Sequence, residues 1–98
     1  MSRLSISRQA RQDLKELFVY IARDKPIAAH RLRLALEGVF RTLARNPAMG
    51  EARPDLGREI RIFSLGSYAV FFRATKAAVV IARVVHGASD TTGLWFSE

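Results

Sequence analysis

The stretch IARVVHGASD, residues 81–90, places Arg83, His86 and Asp90 within eight residues. A guanidinium can hold a phosphoryl oxygen, an imidazole can move a proton near neutral pH, and a carboxylate can orient the imidazole. The same stretch also reads as a hydrophobic strand ended by Gly87, with ordinary polar punctuation. Strand geometry bears on the choice. Successive side chains alternate, so Val79, Ile81, Arg83 and Val85 share one side and Val80, Ala82, Val84 and His86 the other. Arg83 and His86 are therefore expected on opposite faces unless a bulge intervenes, and a cooperating Arg–His–Asp group is not expected.

The elements that must position these residues follow from periodicity. Residues 3–7 alternate, with Leu4 and Ile6 on one side, and read as a short strand. Ser7 suits a helix N-cap, because its hydroxyl can accept a bond from an orphan N–H. From residue 8 to about 23, Ala10, Leu14, Leu17, Phe18 and Ile21 form one helical stripe. RDKP breaks it, and Pro26 is tolerated in the first turn of a new helix. That second helix is predicted over 26–45, with Ala28, Leu32, Ala35, Leu36, Val39, Phe40 and Leu43 as its stripe. Gly38 in its interior costs up to ~1 kcal/mol against Ala, and a close approach of the first helix is expected there. Asn46–Pro47 ends it. The short join makes the two helices an antiparallel hairpin.

Residues 48–57 read as loop. Three strands are predicted after it, over 59–65, 68–73 and 78–85. Gly66–Ser67 is a two-residue hairpin turn with Gly first, and 74–77 turns the chain again. Consecutive hairpins make these strands antiparallel neighbours. The last is apolar on both sides and suits a central position, which leaves its other edge for the N-terminal strand. The fold class is a two-layer α+β domain, βααβββ, its sheet covered on one face by the helical hairpin. Residues 1–98 form a single domain.

Composition sets the function classes. The chain has 16 Lys and Arg against 9 Asp and Glu, a net charge of +7. Thirteen of the 16 are Arg. That balance fits an acidic partner, either nucleic acid or an acidic protein segment, and equally a genome that favours Arg codons. There is no cysteine, which excludes disulfides and thiolate metal sites and fits a reducing, cytoplasmic setting. No apolar run approaches a membrane span, and no secretory h-region is seen. No Gly-rich phosphate loop, metal-ligand His pair or nucleophile elbow is present, so no cofactor and no metal is expected.

Parity divides the sheet. Ile60, Ile62, Val70 and Phe72 are expected to pack under the helices. Arg61, Phe63, Phe71 and Arg73, joined by Arg83, are expected on the helix-free face. Arginines mixed with exposed phenylalanines can stack bases and hold phosphate, or can receive an acidic, amphipathic partner segment.

The segment LARNPAMGEARPDLGREIRIFSLGSYAVFF resembles the central signature of the RelE/ParE superfamily of type II toxins. The matching residues are Leu43, Pro47, Gly50, Arg53, Asp55, Leu56 and Arg61, then the Gly66–Ser67–Tyr68 turn. RVVHGASD is similar to the strand ending of the ParE branch, with Ser89 where that branch carries Arg. ARQDLKELFVYIA resembles the family's first helix through Ala10, Asp13, Leu14 and Tyr20. The resemblance implies a toxin that forms a hetero-oligomer with a ParD-like antitoxin, a small protein with a ribbon-helix-helix DNA-binding part and an acidic tail. It implies DNA gyrase as target for the ParE branch. For the RelE branch it implies ribosome-dependent mRNA cleavage, with Arg61, Arg73, Arg83 and His86 as the catalytic candidates. A toxin fold that has lost activity is a third reading. Arg61, Phe63, Phe71, Arg73 and Arg83 are the expected antitoxin-binding set. Leu94, Trp95 and Phe96, consecutive apolar residues in a polar tail, are the expected target-binding residues, since such a cluster is seldom left in water without a use.

Overall fold

A computed structural model describes residues 3–87 of the chain. The order is β1 (Arg3–Ile6), α1 (Arg8–Ala22), α2 (Pro26–Arg45), a 3-10 turn (Pro47–Met49), β2 (Glu51–Ala52), β3 (Ile60–Leu65), β4 (Tyr68–Ala74) and β5 (Ala78–His86). Five strands form one sheet in the order β1-β5-β4-β3-β2. β3, β4 and β5 are antiparallel neighbours. β1 pairs parallel with β5, Arg3 opposite Ala78 through Ile6 opposite Ile81.

The local signals act as physical chemistry requires. The Ser7 hydroxyl accepts the Ala10 amide at 3.0 Å and caps α1. Pro26 opens α2 at a position that needs no N–H donor. Gly66 takes the first central position of the β3–β4 turn at φ +57°, a conformation that costs other residues a Cβ clash. β2 is an addition to the predicted fold. Glu51 and Ala52 pair with Ile62 and Arg61 inside a stretch expected to be loop. A two-residue strand carries no alternation, so its sequence has no period to reveal it.

Two apolar clusters sandwich the sheet. The larger lies under the helices and contains Ala10, Leu36, Phe40, Leu43, Val70, Phe72, Val79, Ile81 and Val84. The smaller holds Ile60, Ala69 and Phe71, with Leu56, Ile62 and Val85 against it. Directly paired residues on neighbouring strands share a face. Phe63 lies opposite Val70, and Ile62 opposite Phe71. β4 thus has the expected phase, whereas β3 has the inverse one: Phe63 packs towards the helices, and Ile60 and Ile62 face away. Alternation gives two candidate faces, and both in β3 are apolar enough to be buried. Register with β4 decides between them.

Gly38 also departs from expectation. A Cβ built there would meet nothing nearer than the Arg41 guanidinium, at 4.0 Å. No packing of α1 against it explains the glycine. Gly50 is the tight position: a Cβ there would lie 2.4 Å from Phe72 Cζ.

Candidate functional site

The arginines expected to form one surface are held apart. Arg61 on β3 lies opposite Phe72, on the helix-covered face. Its Nε donates to the Gly50 carbonyl at 3.0 Å, and its Nη2 donates to the same oxygen. Arg73 on β4 lies opposite Ile60, on the other face, and its Nη1 donates to the Arg58 carbonyl at 3.0 Å. Phe63 is half-buried against the larger cluster. Phe71 has 0% of its surface exposed and belongs to the smaller one. The expected helix-free surface of Arg61, Phe63, Phe71, Arg73 and Arg83 therefore does not assemble. Inverting the phase of β3 sends Arg61 and Phe63 to the opposite face, and Phe71 is core rather than an exposed floor.

Arg83 has a different fate again. β1 ends at Ile6, so β5 has an open edge beyond Ile81. The Ser7 amide donates to the Ile81 carbonyl at 2.9 Å, and the Ser7 hydroxyl to the Ala82 carbonyl at 3.0 Å. α1 then takes over along that edge. Asp13 Oδ2 accepts the Val84 amide at 3.0 Å, where a strand neighbour would otherwise stand. Arg83 Nε and Nη2 donate to the two Asp13 oxygens at 2.8 and 3.1 Å. The two side chains are only 14% and 10% exposed. Pairing resolves the cost of placing a guanidinium beside a helix. Asp13 was legible in principle: it follows Ala10 by three residues and precedes Leu17 by four, so it lies on the buried side of α1.

A register shift between Phe71 and Phe72 pairs Phe72 with Ile81 and Phe71 with Arg83, so Ala82 is the extra residue of a bulge. Past it, Val84 and His86 pair with Val70 and Tyr68. Arg83 and His86 keep opposite faces of β5. His86 meets Tyr68 instead, with ring centroids 4.9 Å apart. It also borders a recess of about 290 Å³ with Asp13, Glu16, Leu17 and Tyr20. Tyr68 and Tyr20 were not among the expected site residues. A phenol on a neighbouring strand is found only once the register is known. Asp90, Leu94, Trp95 and Phe96 lie outside the described residues.

The loop between β2 and β3 carries one more ion pair. Arg53 Nη2 meets Asp55 Oδ2 at 2.8 Å. This bond holds the Asp55 carboxyl below its ordinary range and raises Arg53. Among the described residues no group of three or more His, Cys, Asp or Glu can hold a metal. No described helix is long and apolar enough to cross a membrane.

A strand, two helices and four further strands, with the helical hairpin over one sheet face, admit many functions, so likeness to known proteins decides the family. The family profile described as "ParE toxin of type II toxin-antitoxin system, parDE" matches residues 4–91. The chain belongs to the ParE toxin family. It is thus the toxin type of a type II toxin–antitoxin system, a class whose cognate partner is an antitoxin. Among solved structures, the ParE fold seen here is similar to the chromosomal ParDE toxin–antitoxin system from P. aeruginosa, with TM-score 0.74 and 20% identity, over 88% of this chain and 96% of that one. It is also similar to the RelBE2 toxin–antitoxin complex from Mycobacterium tuberculosis, with TM-score 0.64 and 25% identity, over 87% and 90%. Comparison with curated proteins returns no match.

Proposed function

We propose that this ParE-family chain acts in the cytoplasm by binding and inhibiting DNA gyrase, and that a ParD-like antitoxin neutralises it in a hetero-oligomer. The observation that carries the reading is the dispersal of its arginines. A ribonuclease needs cations converging on one phosphoryl group, beside an acid and a base. Here Arg61 is engaged with Gly50, Arg73 with Arg58 and Arg83 with Asp13, on different strands. His86 lies on the face opposite Arg83. Such an arrangement suits a protein that acts by contact.

Purified toxin added to a gyrase supercoiling reaction should inhibit it, and the antitoxin should restore activity. Uninhibited supercoiling at toxin concentrations well above those of gyrase would refute the target. The Tyr68–His86 ring pair favours the ribosome-dependent alternative, since it brings a phenol and an imidazole together. Primer extension on mRNA from a translating extract should show no toxin-dependent cuts. Cuts at the ribosomal A site that vanish in His86→Ala would transfer the chain to the ribonuclease reading.

A further inference from the structure

The outward face of α2 has a pattern that the fold itself does not use. Ile27, Arg31, Leu34, Gly38, Arg41 and Arg45 follow one another at spacings of 4, 3, 4, 3 and 4 residues, which is one straight stripe on a helix. The buried residues Ala29, Leu36, Phe40 and Leu43 occupy the opposite side. Ile27 is 68% exposed and Leu34 51%. Arg31, Arg41 and Arg45 are exposed, and their side chains form no hydrogen bond or ion pair among the described residues. The stripe runs for about 27 Å at 1.5 Å per residue.

Gly38 sits in the middle of this stripe. It weakens the helix interior relative to Ala, and no neighbour within the described protein approaches it closely enough to require it. Its absent side chain leaves a notch between Leu34 and Arg41. Beside the notch is a recess of about 300 Å³ walled by Val39, Thr42, Leu43, Met49 and Phe63. Met49 is 44% exposed at its rim. A glycine flanked by exposed apolar groups is what close approach by another backbone requires.

We propose that this stripe is the docking surface for an acidic amphipathic helix of the antitoxin, crossing α2 at Gly38 with one large apolar side chain in the recess. The proposal rests on the reading that an antitoxin neutralises this chain. Ile27 and Leu34 supply apolar anchors, and the three arginines select acidic flanks. A second copy of this chain would oppose arginines to arginines. Single-stranded nucleic acid is disfavoured because the stripe carries no aromatic ring on which bases stack. A lipid surface has no use for the notch. The solved neighbours include a toxin–antitoxin complex, so partners of this class do occupy toxins of this fold.

The test uses Gly38→Leu, whose two effects have opposite signs. The position has room for a side chain, and Leu favours helix, so the melting temperature should rise by a few degrees. Affinity for the full-length antitoxin, measured by calorimetry with the product of the reading frame adjacent to the toxin's, should fall at least tenfold. The paired variant Arg31→Glu with Arg41→Glu should also lose at least tenfold, with a weaker dependence on salt. Both variants should still arrest growth when expressed alone. Wild-type affinity in Gly38→Leu would overturn the docking surface and leave the antitoxin reading standing. Loss of growth arrest would also overturn it, by assigning the stripe to the target. If the wild-type toxin binds no such product, the antitoxin reading falls and takes this surface with it.

Discussion

Arg83 and Arg61 occupy equivalent places in the sheet. Each lies on the strand next to an edge, Arg83 past the end of β1 and Arg61 opposite Ala52 of β2. Their acceptors differ. Arg83 meets a carboxylate on α1, 70 residues away in sequence, and that carboxylate also caps the Val84 amide. Arg61 meets a neutral backbone carbonyl only 11 residues away. The first contact joins the helical layer to the last strand and places two charges where little water reaches them. The second pins a local turn. The same residue type thus makes a tertiary clamp in one place and a loop latch in the other. Neither guanidinium can be assigned to a site on its sequence position alone.

The comparison breaks first at Asp13. Asp13→Ala leaves Arg83 half-buried without this carboxylate and orphans the Val84 amide, so it should cost about 3 kcal/mol in urea unfolding. A cost below about 1 kcal/mol would mean that water screens the clamp as it does a surface pair, and the contrast with Arg61 would disappear. The latch side is tested next by Gly50→Ala. Its Cβ would overlap the fully buried Phe72 ring, and forcing that ring aside should cost about 2 kcal/mol. A smaller effect should follow from Arg61→Met, which keeps most of the side-chain stem and removes the bonds to Gly50. A loss of about 1 kcal/mol is expected. Urea melts that place Arg61→Met level with Asp13→Ala would show the two arginines to be energetic equals.

The smallest effect should come from the exposed Arg53–Asp55 pair. Asp55 has its carboxyl pKa lowered in the folded chain, chiefly by its hydrogen bond to Arg53. A lowered carboxyl contributes stability above its unfolded value, near 3.9, and loses it as pH falls through the folded value. Asp55→Asn should therefore differ slightly from wild type at neutral pH, and the two melting curves should converge under strong acid. A difference that grows on acidification would reverse the sign and contradict the pairing.

Much of the fold was legible because its signals are local. Ser7, Pro26, the helical stripes and the Gly66–Ser67 turn each state their structure within a few residues. β2 and the phase of β3 were not legible. Both depend on pairing between strands, and β3 is apolar on both sides, so alternation alone left its faces undetermined. The candidate site failed at the same step. Placing Arg61, Phe63 and Phe71 together required the β3 phase, and placing Arg83 required knowing that β1 stops at Ile6. Gly38 is a clear signal of unusual backbone use, but its cause does not lie in internal packing, since no described neighbour approaches it closely.

The parallel pairing of β1 with β5 has a consequence for how the chain comes into being. Ser7 and Ala82, whose side chain and carbonyl are bonded, are separated by 75 residues. The helical hairpin rests on near neighbours and can form early, whereas β1 has no partner until the last strand exists. At roughly 5–20 residues per second of synthesis, β1 waits on the order of ten seconds for β5. Contacts this distant in sequence also slow folding after release. A ribosome making this toxin therefore carries, from the end of α2 at Arg45 until β5 is made, a helical pair without a closed sheet.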